Sequence, residues 1–123
     1  MIFDIFPNVK SPGQVCTNEL LLSYTHSQEL IPLYNQIARE QDNDKRQALK
    51  KRLPLVTWQA HYPSGRRKND EAEPSGLYMV DIDHVEHPGQ IYSEQLAGKI
   101  DALDIMVIHM TPSQRGLRVV CRC

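Results

Sequence analysis

Long apolar runs are missing from this chain, and so is any surplus of charge. No stretch approaches the roughly 18 apolar residues of a membrane span, and the opening MIFDIFPNVK lacks the charged-then-apolar order of a secretion signal. The chain is therefore expected to be intracellular, in the cytoplasm, with no membrane partner. Lysine and arginine number 14 against 15 aspartates and glutamates, so no global field draws the protein to nucleic acid, and any polyanion site must be local. Cysteine is scarce: Cys16, Cys121 and Cys123 are an odd set without the four-ligand spacing of a zinc site, and they read as reduced and structural. No repeat and no low-complexity tract is present. What remains, at 123 residues, is room for one domain spanning 1–123.

Patterning then places the elements. MIFDIF reads as a short strand followed by a turn-rich stretch. From Ser27, a plausible cap, Leu30, Leu33, Tyr34 and Ile37 recur at helical offsets, with Pro32 tolerable in the first turn. A second helix is expected from Asp44, acting as its cap, to the basic end at Lys50, Lys51 and Arg52, where Pro54 stops it. LPLVTWQA reads as a strand and HYPSGRRKNDEAEPSG as a long loop. LYMVDIDHV, residues 77–85, is a strand, and a helix capped by Ser93 should carry Leu96, Ala97, Ile100 and Leu103 inward. DIMVIHM looks like a strand buried on both faces, and GLRVVCRC like a final strand. The crossover predicts that the strands at 77–85 and 105–110 run parallel. The class is α+β with a mixed sheet, and because the chain ends inside a strand, a fragment of a longer protein is expected.

Three groups of residues can carry chemistry. Asp81 and Asp83 leave the same side of their strand, roughly 7 Å apart. Two ionised carboxylates so placed repel, and a divalent cation, Mg2+ or Mn2+, would resolve the conflict. The plain alternative is an edge position where the acids pair with lysines or arginines. In TPSQRGLRVV, Ser113 and Gly116 flank a turn that can present backbone N–H groups, while Arg115 and Arg118 supply forked donors matched to phosphate oxygens. A solvated hairpin is the alternative there. His109, just before that turn, is a candidate nucleotide contact. In the long loop, Arg66, Arg67 and Lys68 form a basic spot suited to a polynucleotide or nucleotide phosphate, although Asp70, Glu71 and Glu73 follow directly.

Taken in order, LPLVTWQAHYPSGRRKND, SGLYMVDIDHV and DIMVIHMTPSQRGLRVV resemble the amino-terminal domain of virulence-associated E (VirE) type proteins of bacterial mobile elements and phages, which is itself similar to the archaeo-eukaryotic primase and primase-polymerase superfamily. The resemblance covers about residues 45 to 122. It implies an α/β unit with a βαββ arrangement like the RNA-recognition motif at 77–122, a metal-binding acidic pair at Asp81 and Asp83, and phosphate contacts from Ser113, Gly116 and Arg118. It implies a nucleoside triphosphate and a nucleic-acid template as partners in the full-length protein, and leaves open whether a helicase domain follows. The sequence departs from the superfamily pattern in three respects: no third acidic motif is present, Gln114 stands where glycine is common, and Arg118 replaces the more usual histidine. Two functions follow as expectations. One is a nucleotide-handling, primase-like domain of a mobile-element replication protein, with little catalysis of its own. The other is a non-catalytic nucleic-acid-binding or protein-docking accessory module.

Overall fold

The computed structural model describes residues 1–123 and divides into two compact units, Met1–Ser75 and Gly76–Cys123. Helices and three small sheets make an α+β fold, and every ladder is antiparallel. No helix is long and apolar enough to cross a membrane.

In the first unit, β1 (Asp4–Phe6) lies between β2 (Gln14–Val15) and β3 (Leu55–Thr57). Asp4, Ile5 and Phe6 are all buried because β1 is the central strand. Thr17 caps α1 (Asn18–Thr25) by accepting from the Leu20 N–H at 3.1 Å, a helix with no buried residue. In α2 (Ile31–Arg39), Leu33 and Ile37 lie one turn apart and pack with Leu53, while Leu30, Tyr34 and Leu49 flank the cluster. Burial of a side chain such as Ile37 stabilises by about 1.5–3 kcal/mol. Pro32 sits in the first turn, where its missing N–H costs nothing. Ser27 accepts the Leu30 N–H on its carbonyl at 3.2 Å, and α2 has no side-chain cap, so the Ser27 hydroxyl is not the cap expected of it. The cap of α3 (Asn43–Lys50) is Asp42 rather than Asp44, because the Asp42 carboxylate reaches the Lys45 N–H at 3.0 Å. The long loop is partly ordered, for β4 (Ala60–His61) and β5 (Glu73–Pro74) close it as a two-stranded ladder.

In the second unit, β8 (Leu117–Arg122) lies between β6 (Leu77–Ile82) and β7 (Ile105–Met110). β6 and β7 therefore do run parallel, as the crossover requires, but β8 separates them and no parallel ladder forms, so the expected mixed sheet is an antiparallel one. The order also moves the buried strand. DIMVIHM is an edge, with Met106 and Met110 exposed, whereas β8 carries the buried Leu117, Val119, Val120 and Cys121. The connection begins at Pro88, five residues before the expected Ser93 cap, and changes the tightness of its winding as it goes: α4 (Pro88–Ile91), a π turn (Tyr92–Leu96) and a 3-10 turn (Ala97–Lys99). Ser93 lies within it and donates to the Gln90 carbonyl. Leu96 packs with Ile82 and Ile108 against the core of Ile105, Val119 and Cys121. The three cysteines are free thiols, with Cys121 in that core.

Candidate functional site

The register of the second sheet sets the geometry. Asp81 stands opposite Arg118 on β8, and Arg118 stands opposite His109 on β7. Directly opposed residues project from the same face, so a carboxylate, a guanidinium and an imidazole form one row across three strands. The row lies at the end of the sheet nearest the turn of residues 111–116.

Arg118 grips Asp81 with a fork: Nε donates to Oδ1 at 2.7 Å and Nη2 to Oδ2 at 3.0 Å. The side chains are 28% and 34% exposed. Those forked hydrogen bonds hold the Asp81 carboxyl below its usual range, against an opposing push from burial, and the Arg118 and His109 charges add to the lowering. The same bonds raise Arg118, and the charges of Asp81 and Asp83 add to it. Burial pushes the His109 imidazole down, and the neighbouring Arg118 charge does the same, while a contact from its Nδ1 to the Met110 carbonyl at 3.0 Å opposes them.

Asp83 follows the end of β6 and precedes His84, whose φ of 58° turns the chain out of the strand. Its Oδ1 lies 3.3 Å from where a Cβ on Gly116 would stand. Such a Cβ would also meet the Ile82 carbonyl at 2.7 Å, so the bare glycine is what lets the end of β6 approach the turn this closely. The turn is closed by Gln114 N–H to the Thr111 carbonyl at 2.8 Å and Thr111 N–H to the Gly116 carbonyl at 3.0 Å. Val85 N–H reaches the Arg115 carbonyl at 2.9 Å and fastens the segment after β6 to it. Ser113 Oγ lies 3.4 Å from Thr111 Oγ1 and accepts from the Arg115 N–H at 3.4 Å. Gln114 takes a φ of 61°, the left-handed conformation that explains why glycine is common there.

The structure thus brings together Asp81, Asp83, His109, Ser113, Gly116 and Arg118, with Arg115 exposed on the turn. The pairing alternative holds at Asp81, where an arginine takes both oxygens. In that arrangement the donors do not fit a divalent cation, since Asp83 alone is left of the two carboxylates and no group of three acidic, His or Cys side chains converges.

The basic loop belongs to the first unit. Arg67 is committed to the fold: Nη2 donates to the Val9 carbonyl at 3.2 Å and the guanidinium lies 5.7 Å from the Phe6 ring centroid. Arg66 and Lys68 are exposed. Beside this loop stands a pair that sequence reasoning missed. The Asp4 carboxylate, 1% exposed, accepts the Tyr62 N–H at 2.6 Å and meets His61 Nδ1 at 2.8 Å. Its signal was legible: in MIFDIF, Asp4 shares a strand face with the apolar Phe6, and a carboxylate there requires a partner.

Among families of known proteins, residues 48–123 match the family described as BT4734-like, N-terminal domain. No curated protein and no solved structure matches the chain.

Proposed function

The chain belongs to the BT4734-like N-terminal domain family, and from that premise we propose that its second unit is a polyphosphate-handling site of primase-polymerase type, in a replication protein of a mobile element or phage. One observation carries the reading: a single row of Asp81, Arg118 and His109 ends beside the turn of Ser113, Arg115 and Gly116, with Asp83 against that turn. In this reading Arg118 and Arg115 hold the phosphates of a nucleoside triphosphate, Ser113 adds a hydroxyl, and His109 borders the nucleotide. The βαββ order with β8 between β6 and β7 is the arrangement expected of a sheet like the RNA-recognition motif. A divalent cation would meet Asp83 first, and Asp81 only once Arg118 has turned from it. In this reading a nucleic-acid template is the partner of the full-length replication protein.

A second reading is favoured by the Asp81–Arg118 fork itself: a binding module in which phosphate is touched by Arg66 and Lys68 of the first unit or, separately, by Arg115 and Arg118 of the second, with the carboxylate only orienting Arg118. Titration of ATP with Mg2+ into isotope-labelled protein separates the two. Amide shifts centred on Asp81, Asp83, Ser113 and Arg118 are expected; no shift at millimolar ligand would refute the nucleotide site. The binding module should keep its nucleic-acid affinity in Asp81→Asn, whereas the nucleotide site should lose its response to Mg2+.

A further inference from the structure

The second sheet has two edge strands, β6 and β7, and they differ. β7 is blunted by an irregularity between Ile105 and Val107, whereas β6 pairs with β8 over all six residues without a shift of register. Nor does β6 carry the lysine or proline that commonly guards an edge. Tyr78, Met79 and Val80 are 42%, 38% and 48% exposed, and the one charge of the strand, Asp81, is answered within the sheet by Arg118. We infer that β6 is a homodimerisation strand: it pairs antiparallel with β6 of a second copy of this chain, about a twofold axis at Met79, and joins two three-stranded sheets into one of six strands.

The inner ladder fixes what β6 presents on its outer side. The Cys123 N–H donates to the Gly76 carbonyl at 2.9 Å, in the register that sets Leu77 opposite Arg122. Bonded pairs alternate along an antiparallel ladder, so Tyr78, Val80 and Ile82 direct their backbone groups to β8, while Met79 and Asp81 turn theirs outward. The far side of β8 agrees, because the bond from the Thr111 N–H to the Gly116 carbonyl phases Arg118 and Val120 toward β7 and leaves Leu117, Val119 and Cys121 for β6.

Side chains select the occupant. Tyr78 and Val80 stand opposite Cys121 and Val119, so they form the open margin of the core on that face. A strand added there must bring apolar groups at alternate residues, and β6 itself does so. With the axis at Met79, Tyr78 of each copy falls opposite Val80 of the other, giving two aromatic–β-branched pairs, and Met79 meets Met79. The two Asp81 carboxylates then lie four residues apart, about 13 Å along the strands. Moving the axis to Val80 would make them diagonal neighbours about 7–8 Å apart. Directly opposed residues share a face, so both rows of Asp81, Arg118 and His109 leave one side of the joined sheet. So short a strand pair buries less than the roughly 1,200 Å2 of a stable interface, and the dimer should be weak and form with rising concentration.

Sedimentation equilibrium of the whole chain up to about 1 mM, with amide hydrogen exchange on the same samples, tests this; a thiol reductant keeps the exposed Cys123 from cross-linking copies. The average mass should rise toward that of two chains. The Met79 and Asp81 amides should gain protection with concentration, while Val80, already bonded inward, should change little. Met79→Pro removes an N–H that points away from β8, so it spares the inner ladder and should weaken dimerisation at least about tenfold. Met79→Lys opposes two like charges at the axis without altering the backbone and should also weaken it, which keeps the test open should Met79→Pro fail to fold. A wild type that remains monomeric at about 1 mM overturns the inference. So does a dimer that both variants preserve, or protection that rises along 105–110 instead.

Discussion

At the scale of single residues, the strongest constraint in the molecule is Asp4. A carboxylate that is 1% exposed needs its charge and lone pairs answered within the fold, and here the Tyr62 N–H and His61 Nδ1 answer them. Asp4→Ala leaves both partly buried partners unpaired and empties a fully buried site, and should lower stability to urea by about 3 kcal/mol. Asp4→Asn keeps the volume and an acceptor oxygen for Tyr62, so its cost should be about 1 kcal/mol. Equal losses in the two variants would mean that volume and one acceptor oxygen contribute nothing without the second carboxylate oxygen that meets His61. Asp4 has no second carboxylate at strand spacing to mark it, whereas Asp81 and Asp83 mark each other and Arg118 is marked by its place after a turn. That Asp81 and Arg118 face each other is a matter of register between strands 37 residues apart, which no local pattern records.

At the scale of elements, legibility followed periodicity. The stripe of Leu33 and Ile37 announced α2, and the strands at 77–82 and 117–122 announced themselves by their apolar runs. α1 went unread because its leucines are consecutive and nothing in it is buried, so it has no stripe to see. The segment from Pro88 to Lys99 escaped a regular description because it passes through three kinds of winding. The burial of β8 over β7 followed from sheet order, which apolar content alone leaves open. In the turn of 111–116, Gln114 holds the left-handed conformation at φ 61° with a side chain that does not favour it. Gln114→Gly relieves a strain of about 1 kcal/mol, partly offset by the freedom glycine gains in the unfolded chain. A small net rise in thermal midpoint is expected. A fall of several degrees would show that the Gln114 side chain supports the turn and is not merely tolerated by it.

At the scale of the whole molecule, the balance of 14 cationic against 15 anionic side chains confines any nucleic-acid contact to a few residues. The matched family region, 48–123, includes both the loop with Arg66 and Lys68 in the first unit and the arginine turn in the second. Salt dependence tells which of them a polyanion uses. Each phosphate neutralised on a single strand contributes about 0.7 to the slope of log affinity against log salt. If Arg115 and Arg118 alone make the contacts, anisotropy titrations with a short single-stranded oligonucleotide should give a slope no steeper than about −1.4. Participation of the loop as well brings four contacts and a slope near −3, and Arg66→Gln with Lys68→Gln should then return it to the shallower value. A steep slope that survives the double substitution would exclude the loop and require contacts beyond Arg115 and Arg118. It would point to a basic surface that net charge and local motif together fail to reveal.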